Sequence, residues 1–261
     1  MPLTLITGAS SGIGKVFAER FAQERHDLII VARRQAELEA LAERLAPAHG
    51  VKVHVIPLDL AAPQAAGILF DEVRKRGLEV DGVINNAGCG VHGLHADLDV
   101  DALERMLNLN VTFLTSLTRR FLPGMIARGS GTIVNIASTA AFQPIPHFSA
   151  YAASKAYVLA FTEGLAEEVR GHGIKVLALC PGPTRTEFMA TAGIRPKGIK
   201  YPQAAFMSAE QVVEAGMQAL RQRAVIRIPG TVNALMARSV AYLPRQLVTK
   251  ISGQLMKSSQ Q

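Results

Sequence analysis

Residues 3–14 read LTLITGASSGIG. A short apolar, β-branched run enters the glycine turn TGASSGIG, and the residues that follow, KVFAERFAQ, place apolar side chains at helical spacing. A strand, a glycine-rich turn and a helix in that order aim backbone N–H groups and a helix N-terminus at one point, where an anion such as a pyrophosphate is favoured. Gly8, Gly12 and Gly14 remove the side chains that would block that approach or hold helix away from strand. Glycine spacing alone is weak evidence; its setting in the first strand–helix unit makes dinucleotide binding the reading.

The same alternation continues outward. DLIIVA, VKVHVIPLD, VDGVINNAG, GTIVNIAS and IKVLALCPG are further apolar, β-branched runs, separated by QAELEALAERLA, PQAAGILFDEVRKRG, the long stretch 100–129 and the helix-forming SAYAASKAYVLAF. With LTLIT, six strands without polar alternation are expected to be buried on both faces, as in a doubly wound α/β fold with one parallel sheet. No repeat or linker interrupts the chain, so residues 1–261 are read as one domain. Residues 187–208, EFMATAGIRPKGIKYPQAAFMS, break the rhythm and are expected to form a mobile insertion over a site.

Composition narrows the function classes. The chain has 261 residues, 49% of them hydrophobic, enough for a substantial core. Two separated cysteines, Cys89 and Cys180, suggest neither a disulfide framework nor a ligand pair, and imply a reducing compartment, with cytoplasm as the expectation. The start MPLTLITGAS leads directly into a strand, so an export signal is not expected, and no apolar run approaches the roughly 20 residues that span a bilayer. The net charge of +7 equals the seven basic residues after Glu214, a stretch without Asp or Glu. The rest is balanced, which argues against a nucleic-acid-binding protein.

The second strand indicates which dinucleotide. An NAD site would place an acidic residue at its end to hold the ribose hydroxyls, about 20 residues beyond the glycines. Here stand Ala32, Arg33 and Arg34. A guanidinium pairs with a 2′-phosphate that a carboxylate would repel, so NADP(H) is expected, with Arg33 as first ligand and Arg34 second. A rival function is also spelled in the turn: Gly8, Ser10 and Gly12 form G-x-S-x-G, the nucleophile elbow of α/β-hydrolases. That esterase would need an acid and then a histidine late in the chain, and the acids before the last histidine, His172, sit on its own helix, like Glu163 and Glu168, or lie far upstream.

In SAYAASKAYVLAF, Tyr151 and Lys155 lie one helical turn apart on one face, where an ammonium can act on a phenol. With TGASSGIG, NNAG at 85–88, Asn110 in LNLNVTF, Ser138 in IVNIAS and PGPTRT at 181–186, the chain resembles the single-domain short-chain dehydrogenases/reductases over about residues 3–230, with their Rossmann-like fold. The resemblance implies a catalytic set of Asn110, Ser138, Tyr151 and Lys155. Tyr151 would be the acid–base group between carbonyl and alcohol, its pKa lowered from near 10 by Lys155 and the oxidised nicotinamide. Lys155 would also hold the nicotinamide ribose, as Tyr151 adjoins it. Ser138 would hydrogen-bond the substrate oxygen, and Asn110 would position a water behind Lys155. It further implies cofactor contacts from Ser10, Ser11 and Ile13 in the turn, Asp59 at the adenine edge with Leu60 beside it, and Asn86, Ala87 and Gly88 at the adenine ribose. Pro181, Gly182, Thr184 and Thr186 would lie near the nicotinamide. A homodimer or homotetramer built on the helices around Asn110 and Tyr151 is also implied.

Other features carry less specific readings. Cys89, His92 and His95 have a zinc-like spacing, but a fourth ligand is not evident and no metal is expected; His92, His95 and His147 are instead candidates to touch substrate. Phe188, Met189, Ile194, Phe206 and Met207 suggest an apolar pocket for a lipophilic carbonyl or alcohol. In residues 231–257, Met236, Val240, Leu243, Leu247, Ile251 and Leu255 recur at spacings of three and four opposite Arg238 and Arg245, with Pro244 breaking the run. Such a segment packs on its own domain or a sister subunit, the favoured reading, or lies on anionic lipid. A non-catalytic NADP(H)-binding scaffold or sensor at a membrane surface is the remaining alternative, which would have no need of Tyr151.

Overall fold

The computed structural model describes residues 1–194 and 202–257. The sequence alternation becomes β1 (Leu3–Thr7), α1 (Gly12–Gln23), β2 (Asp27–Ala32), α2 (Gln35–His49), β3 (Val53–Pro57), α3 (Ala65–Lys75) and β4 (Gly82–Asn85). Then come α4 (Val100–Leu107), a widened π-type turn at Asn108–Phe113, α5 (Leu114–Arg128), β5 (Gly131–Ile136), α6 (Ser149–Glu168) and β6 (Ile174–Leu179). The chain continues through α7 (Phe188–Thr191), α8 (Ala209–Arg221), β7 (Ile226–Arg227), α9 (Thr231–Ser239) and α10 (Arg245–Lys257). All pairings are parallel, in the order β3-β2-β1-β4-β5-β6-β7.

The expected doubly wound sheet is present, with a seventh strand in place of the expected six. β7 pairs only Ile226 and Arg227 with Ala178 and Leu179, and two residues carry no periodicity to read. β1, β2 and β4 are almost wholly buried because helices cover both faces. On one face α1, α2 and α8 pack Phe17, Leu38 and Val213, all fully buried, over Ile30 and Leu177. On the other, α3, α5 and α6 bring Leu69, Leu117 and Leu165 against Leu5 and Val83. Each fully buried Leu or Phe contributes about 2–3 kcal/mol.

Strand order places the site. From β1 the chain winds outward to β3, then returns to β4 on the other side of β1 and winds the opposite way. Helices leaving β1 and β4 therefore part, opening a crevice at the strands' C-terminal ends. A buried hydrogen-bond chain fastens the second half: Asn85 Nδ2 donates to Thr118 Oγ1 at 2.9 Å and to Asn135 Oδ1 at 2.8 Å, and Asn135 Nδ2 donates to Thr162 Oγ1 at 3.0 Å. It ties β4 and β5 to α5 and α6, the helix that carries Tyr151 and Lys155.

Of the 187–208 insertion, residues 195–201 lie outside the described residues. Its ends are built from α7 and from a capping box at the start of α8, where Ser208 Oγ accepts from Gln211 N and Gln211 Oε1 from Ser208 N. The C-terminal segment breaks at Pro244, as its sequence implies, and folds back on the domain. Ser252 Oγ donates to Pro144 O at 2.8 Å, and Gly253 lies so close that an added Cβ would meet Pro146 Cγ at 3.0 Å.

Candidate active site

A cleft of about 660 Å³ fills the crevice, a size suited to a ligand largely enclosed by protein. Gly8, Ser10, Ser11, Gly12 and Ile13 line it, and Gly14 sits behind them at the helix–strand contact. Gly8 and Gly12 have φ of +67° and +54°, which glycine adopts without a Cβ penalty. A Cβ on Gly14 would lie 2.3 Å from Gly8 O and 2.4 Å from Asn86 Nδ2. Asn86 holds the turn by donating from Nδ2 to Thr7 O at 2.9 Å and Gly8 O at 3.2 Å. Ser11, at the N-cap of α1, makes no side-chain cap hydrogen bond, so the helix's first N–H groups face the cleft unengaged by a side chain. These features fit a dinucleotide's pyrophosphate.

Arg33 and Arg34 both line the cleft at the end of β2. Arg34 is already engaged: its guanidinium donates to Ser10 Oγ at 3.2 and 3.3 Å and pairs with Glu187 at 3.2 Å. Arg33 has no hydrogen-bonding or ion-pair partner among the described residues, and its exposed guanidinium is available to a 2′-phosphate. Ser10 thus has an arginine rather than a histidine as partner, which removes the basis of the nucleophile-elbow reading. Asp59 and Leu60 line the cleft as well, with Asn86, Ala87 and Gly88 opposite. Asp59 Oδ2 accepts from Arg105 at 2.6 Å and Oδ1 from Ala61 N at 3.1 Å. Partial burial works against ionisation there, but these donors prevail and hold the carboxyl below its usual pKa. Arg105, which the motif reading missed, is part of this wall.

Ser138, Tyr151 and Lys155 meet on the cleft's inner wall. Ser138 follows the end of β5 and caps a short 3-10 turn (Thr139–Phe142), its Oγ accepting from Ala140 N at 3.1 Å. Its hydroxyl also donates to Pro181 O at 3.4 Å and lies near enough to the Tyr151 phenol to favour the ionised form slightly. The Tyr151 ring stacks on Phe148 with centroids 4.2 Å apart and planes at 20°, and Phe188 of α7 tilts against it at 5.4 Å. Burial between these rings pushes the phenol pKa well above the ordinary tyrosine value, against the smaller pull of Ser138. Lys155 Nζ donates to Ile136 O at 2.8 Å and lies 5.7 Å from the Tyr151 ring centroid. Burial pulls its pKa down to about 8. In the chain without cofactor, desolvation of the phenol dominates the Tyr151 pKa. The arrangement presents a protonated phenol, a hydroxyl beside it and a lysine whose charge is easily moved, suited to handing a proton to an oxygen.

Asn110 stands behind this wall in the widened turn, a form frequent at functional sites. Its Nδ2 donates to Cys89 O at 2.9 Å and Ser154 Oγ at 3.1 Å, and its Oδ1 accepts from Cys89 N at 3.1 Å. It thereby fixes the loop after β4, and a Cβ on Gly88 would fall 3.2 Å from Asn110 Oδ1 and 3.3 Å from Lys155 Nζ.

The PGPTRT segment crosses the cleft mouth with Pro181, Gly182, Thr184 and Thr186 in its lining. Asn233 of α9 anchors it: a Cβ on Gly182 would come within 2.5 Å of the Asn233 amide, whose Nδ2 donates to Ala205 O at 3.0 Å. At the far end the wall is apolar: Ile145, Phe148, Phe188, Met189, Ile194 and Met256. Phe206 and Met207, expected there, do not line it; Met207 is drawn into a backbone bridge, its N donating to Pro183 O at 3.0 Å and its O accepting from Arg185 N at 2.9 Å. Met256 takes part because α10 folds back, a contact without local sequence signal. His92, His95 and His147 do not line the cleft. His92 packs near Phe148 and His147 instead, with ring centroids 6.0 and 6.4 Å away. Among the described residues no three potential metal ligands come together, so Cys89, His92 and His95 are not a cluster.

Crevice, glycine turn and Ser–Tyr–Lys wall define an oxidoreductase built to hold a nicotinamide dinucleotide. Comparison with known proteins gives the family. Residues 2–196 match the family model of the short chain dehydrogenases. Among curated proteins the chain is 37% identical over 188 residues, 71% of its length and 74% of the other, to sulfoacetaldehyde reductase 2 of Chromohalobacter salexigens. Among solved structures, a short-chain dehydrogenase from Sphingobium yanoikuyae in complex with NADPH superposes with a TM-score of 0.83 at 37% identity, covering 93% of this chain and 94% of that one. A bulky-bulky ketone specific alcohol dehydrogenase from Comamonas testosteroni follows at 0.78 and 32% identity, covering 94% and 96%. The chain belongs to the short-chain dehydrogenase/reductase family.

Proposed function

We propose that this protein is an NADP(H)-dependent oxidoreductase that interconverts a bulky, lipophilic ketone and its alcohol, with Tyr151 as the acid–base group. The observation that carries this reading is that Ser138, Tyr151 and Lys155 share one cleft with the glycine turn and with Arg33, whose guanidinium is unpaired among the described residues. When bound, the cofactor supplies or takes up the hydride. Ser138 and Tyr151 orient the carbonyl oxygen between their hydroxyls, and Tyr151 gives that oxygen its proton. Raised by burial, the phenol is protonated through neutral pH, the state reduction requires. Lys155, shifted to about 8, is poised to return the proton, and Asn110 holds the Cys89 loop against it.

The apolar far wall supports the substrate class. Among the described residues the cations in the cleft lining are Arg33, Arg34, Arg105 and Lys155; these arginines stand at the end of β2 and around Asp59, and the described residues of the apolar end are uncharged. The name of the Comamonas protein, specific for bulky-bulky ketones, agrees with this wall. Half-exposed Leu107 and Tyr157 on α4 and α6 support assembly into a homodimer or homotetramer through those helices.

Fluorescence titration with NADPH and NADH tests the cofactor half of the reading. Wild type is expected to prefer NADPH, and Arg33→Ala to bind NADPH about ten- to a hundredfold more weakly with NADH unchanged, as for a charge-assisted contact of about 1.5–3 kcal/mol. Equal affinity for both cofactors in wild type would remove the phosphate role of Arg33.

A further inference from the structure

The C-terminal segment presents a second surface that the redox chemistry leaves unexplained. One side of α10 packs on the domain through Val248, Ser252 and Met256. Its other side, α9 and the connection between the two helices leave Leu235, Met236, Tyr242, Leu243, Leu247 and Ile251 exposed, with Leu235 at 72% and Tyr242 at 88%. Large apolar side chains in such number on one contiguous segment mark a contact surface.

Charge identifies the partner. Exposed Arg238, Arg245 and Lys250 lie on the same segment as these apolar residues, and no Asp or Glu follows Glu214. A second copy joined by two-fold symmetry through these helices would bring their basic residues, which have no acidic residue on the same segment, toward one another. An anionic bilayer satisfies both components: apolar side chains and a tyrosine enter the headgroup boundary while Arg and Lys meet phosphates. No helix among the described residues is long and apolar enough to cross a membrane, so the contact would be peripheral. A small cavity of about 170 Å³ opens among Met236, Leu243 and Ile251 of this face and shares Ile145, Pro183 and Met256 with the main cleft. We propose that the α9–α10 face seats the protein on anionic phospholipid with that cavity turned toward the bilayer. Lipid docking stands independently of the redox reading; delivery of a lipophilic substrate from the bilayer through the cavity rests on it.

Flotation of the full chain with phosphatidylcholine vesicles, with and without 30 mol% phosphatidylglycerol (about one lipid in three, ample surface charge), tests the docking. At least tenfold greater partitioning onto the anionic vesicles is expected, weakened by 0.5 M salt (roughly a 4 Å screening length). Arg238→Glu/Arg245→Glu and Leu235→Ser/Tyr242→Ser/Leu247→Ser are each expected to lose about tenfold or more, while NADPH titration reports the fold intact and separates this outcome from failure of the cofactor assignment. Partitioning that ignores phosphatidylglycerol, or survives both variants, overturns the proposal. A change of solution mass in the apolar variant with vesicle binding unaltered would assign the face to a second copy and overturn it equally.

Discussion

Replacing Gly14 by Ala adds one methyl group at the closest approach of helix α1 to the glycine turn. That methyl would stand 2.3 Å from Gly8 O and 2.4 Å from Asn86 Nδ2, about 1 Å inside an ordinary carbon–oxygen contact of about 3.3 Å. Neither neighbour yields freely, because Gly8 O is backbone and the Asn86 amide is held by hydrogen bonds to Thr7 O and Gly8 O. Overpacking of this kind costs about 1–3 kcal/mol, and losing an Asn86 hydrogen bond adds about 1 kcal/mol. Urea unfolding without cofactor is expected to register about 3 kcal/mol of destabilisation, and NADPH affinity is expected to fall at least tenfold. Gly164→Ala is the control: this exposed glycine lies inside α6 with nothing within 4 Å of an added Cβ and no positive φ, so the same methyl should stabilise by up to about 1 kcal/mol. A Gly14→Ala protein as stable as wild type, with NADPH affinity unchanged, would refute the claim that contact distance sets this turn.

Two more predictions concern the polar interior. Asn135→Ala takes the buried acceptor from one Asn85 amide proton, Thr118 keeping the other, and removes a donor from Thr162 Oγ1, which still donates to Val158 O; it should cost about 1–3 kcal/mol by urea unfolding, and near-neutral behaviour would show that the network is not structural. Lys155→Met should stabilise the cofactor-free protein at pH 7 by about 1–2 kcal/mol while abolishing turnover, since burying the ammonium costs about 3 kcal/mol for a pKa drawn from 10.5 to about 8 and the Ile136 hydrogen bond returns part of it. Below pH 8 both folded and unfolded wild type carry that proton and the cost is complete; between 8 and 10.5 only the unfolded chain keeps it, so wild-type stability rises toward that of the variant. Comparing the two unfolding curves at pH 7 and 10 reads this directly, and a difference independent of pH would disprove the assignment.

Much of the crevice was legible because its parts are local. A buried strand running into TGASSGIG, a basic pair at the end of β2 and a Tyr–Lys pair one helical turn apart each declare themselves within a few residues. What was not legible depends on residues far apart in the chain. β7 is too short for periodicity, and the widened turn that presents Asn110 depends on how α4 and α5 settle against the domain. The Arg105–Asp59 and Arg34–Glu187 pairs join residues with no sequence relation. Met256 reaches the cleft only through the return of α10, whereas Met207, apolar and inside the insertion, is taken up by backbone pairing. The electrostatics of Tyr151 were also hidden, because a neighbouring ammonium is visible in a sequence and burial by Phe148 and Phe188 is not.

The most direct test of the redox account is NADPH-dependent reduction of a bulky aryl ketone by wild type and Tyr151→Phe, followed beside NADPH binding. The account predicts turnover by wild type and a loss of about a hundredfold or more in the variant, with cofactor affinity essentially unchanged because the phenyl ring keeps its stack on Phe148. Turnover that survives the loss of the hydroxyl would contradict it.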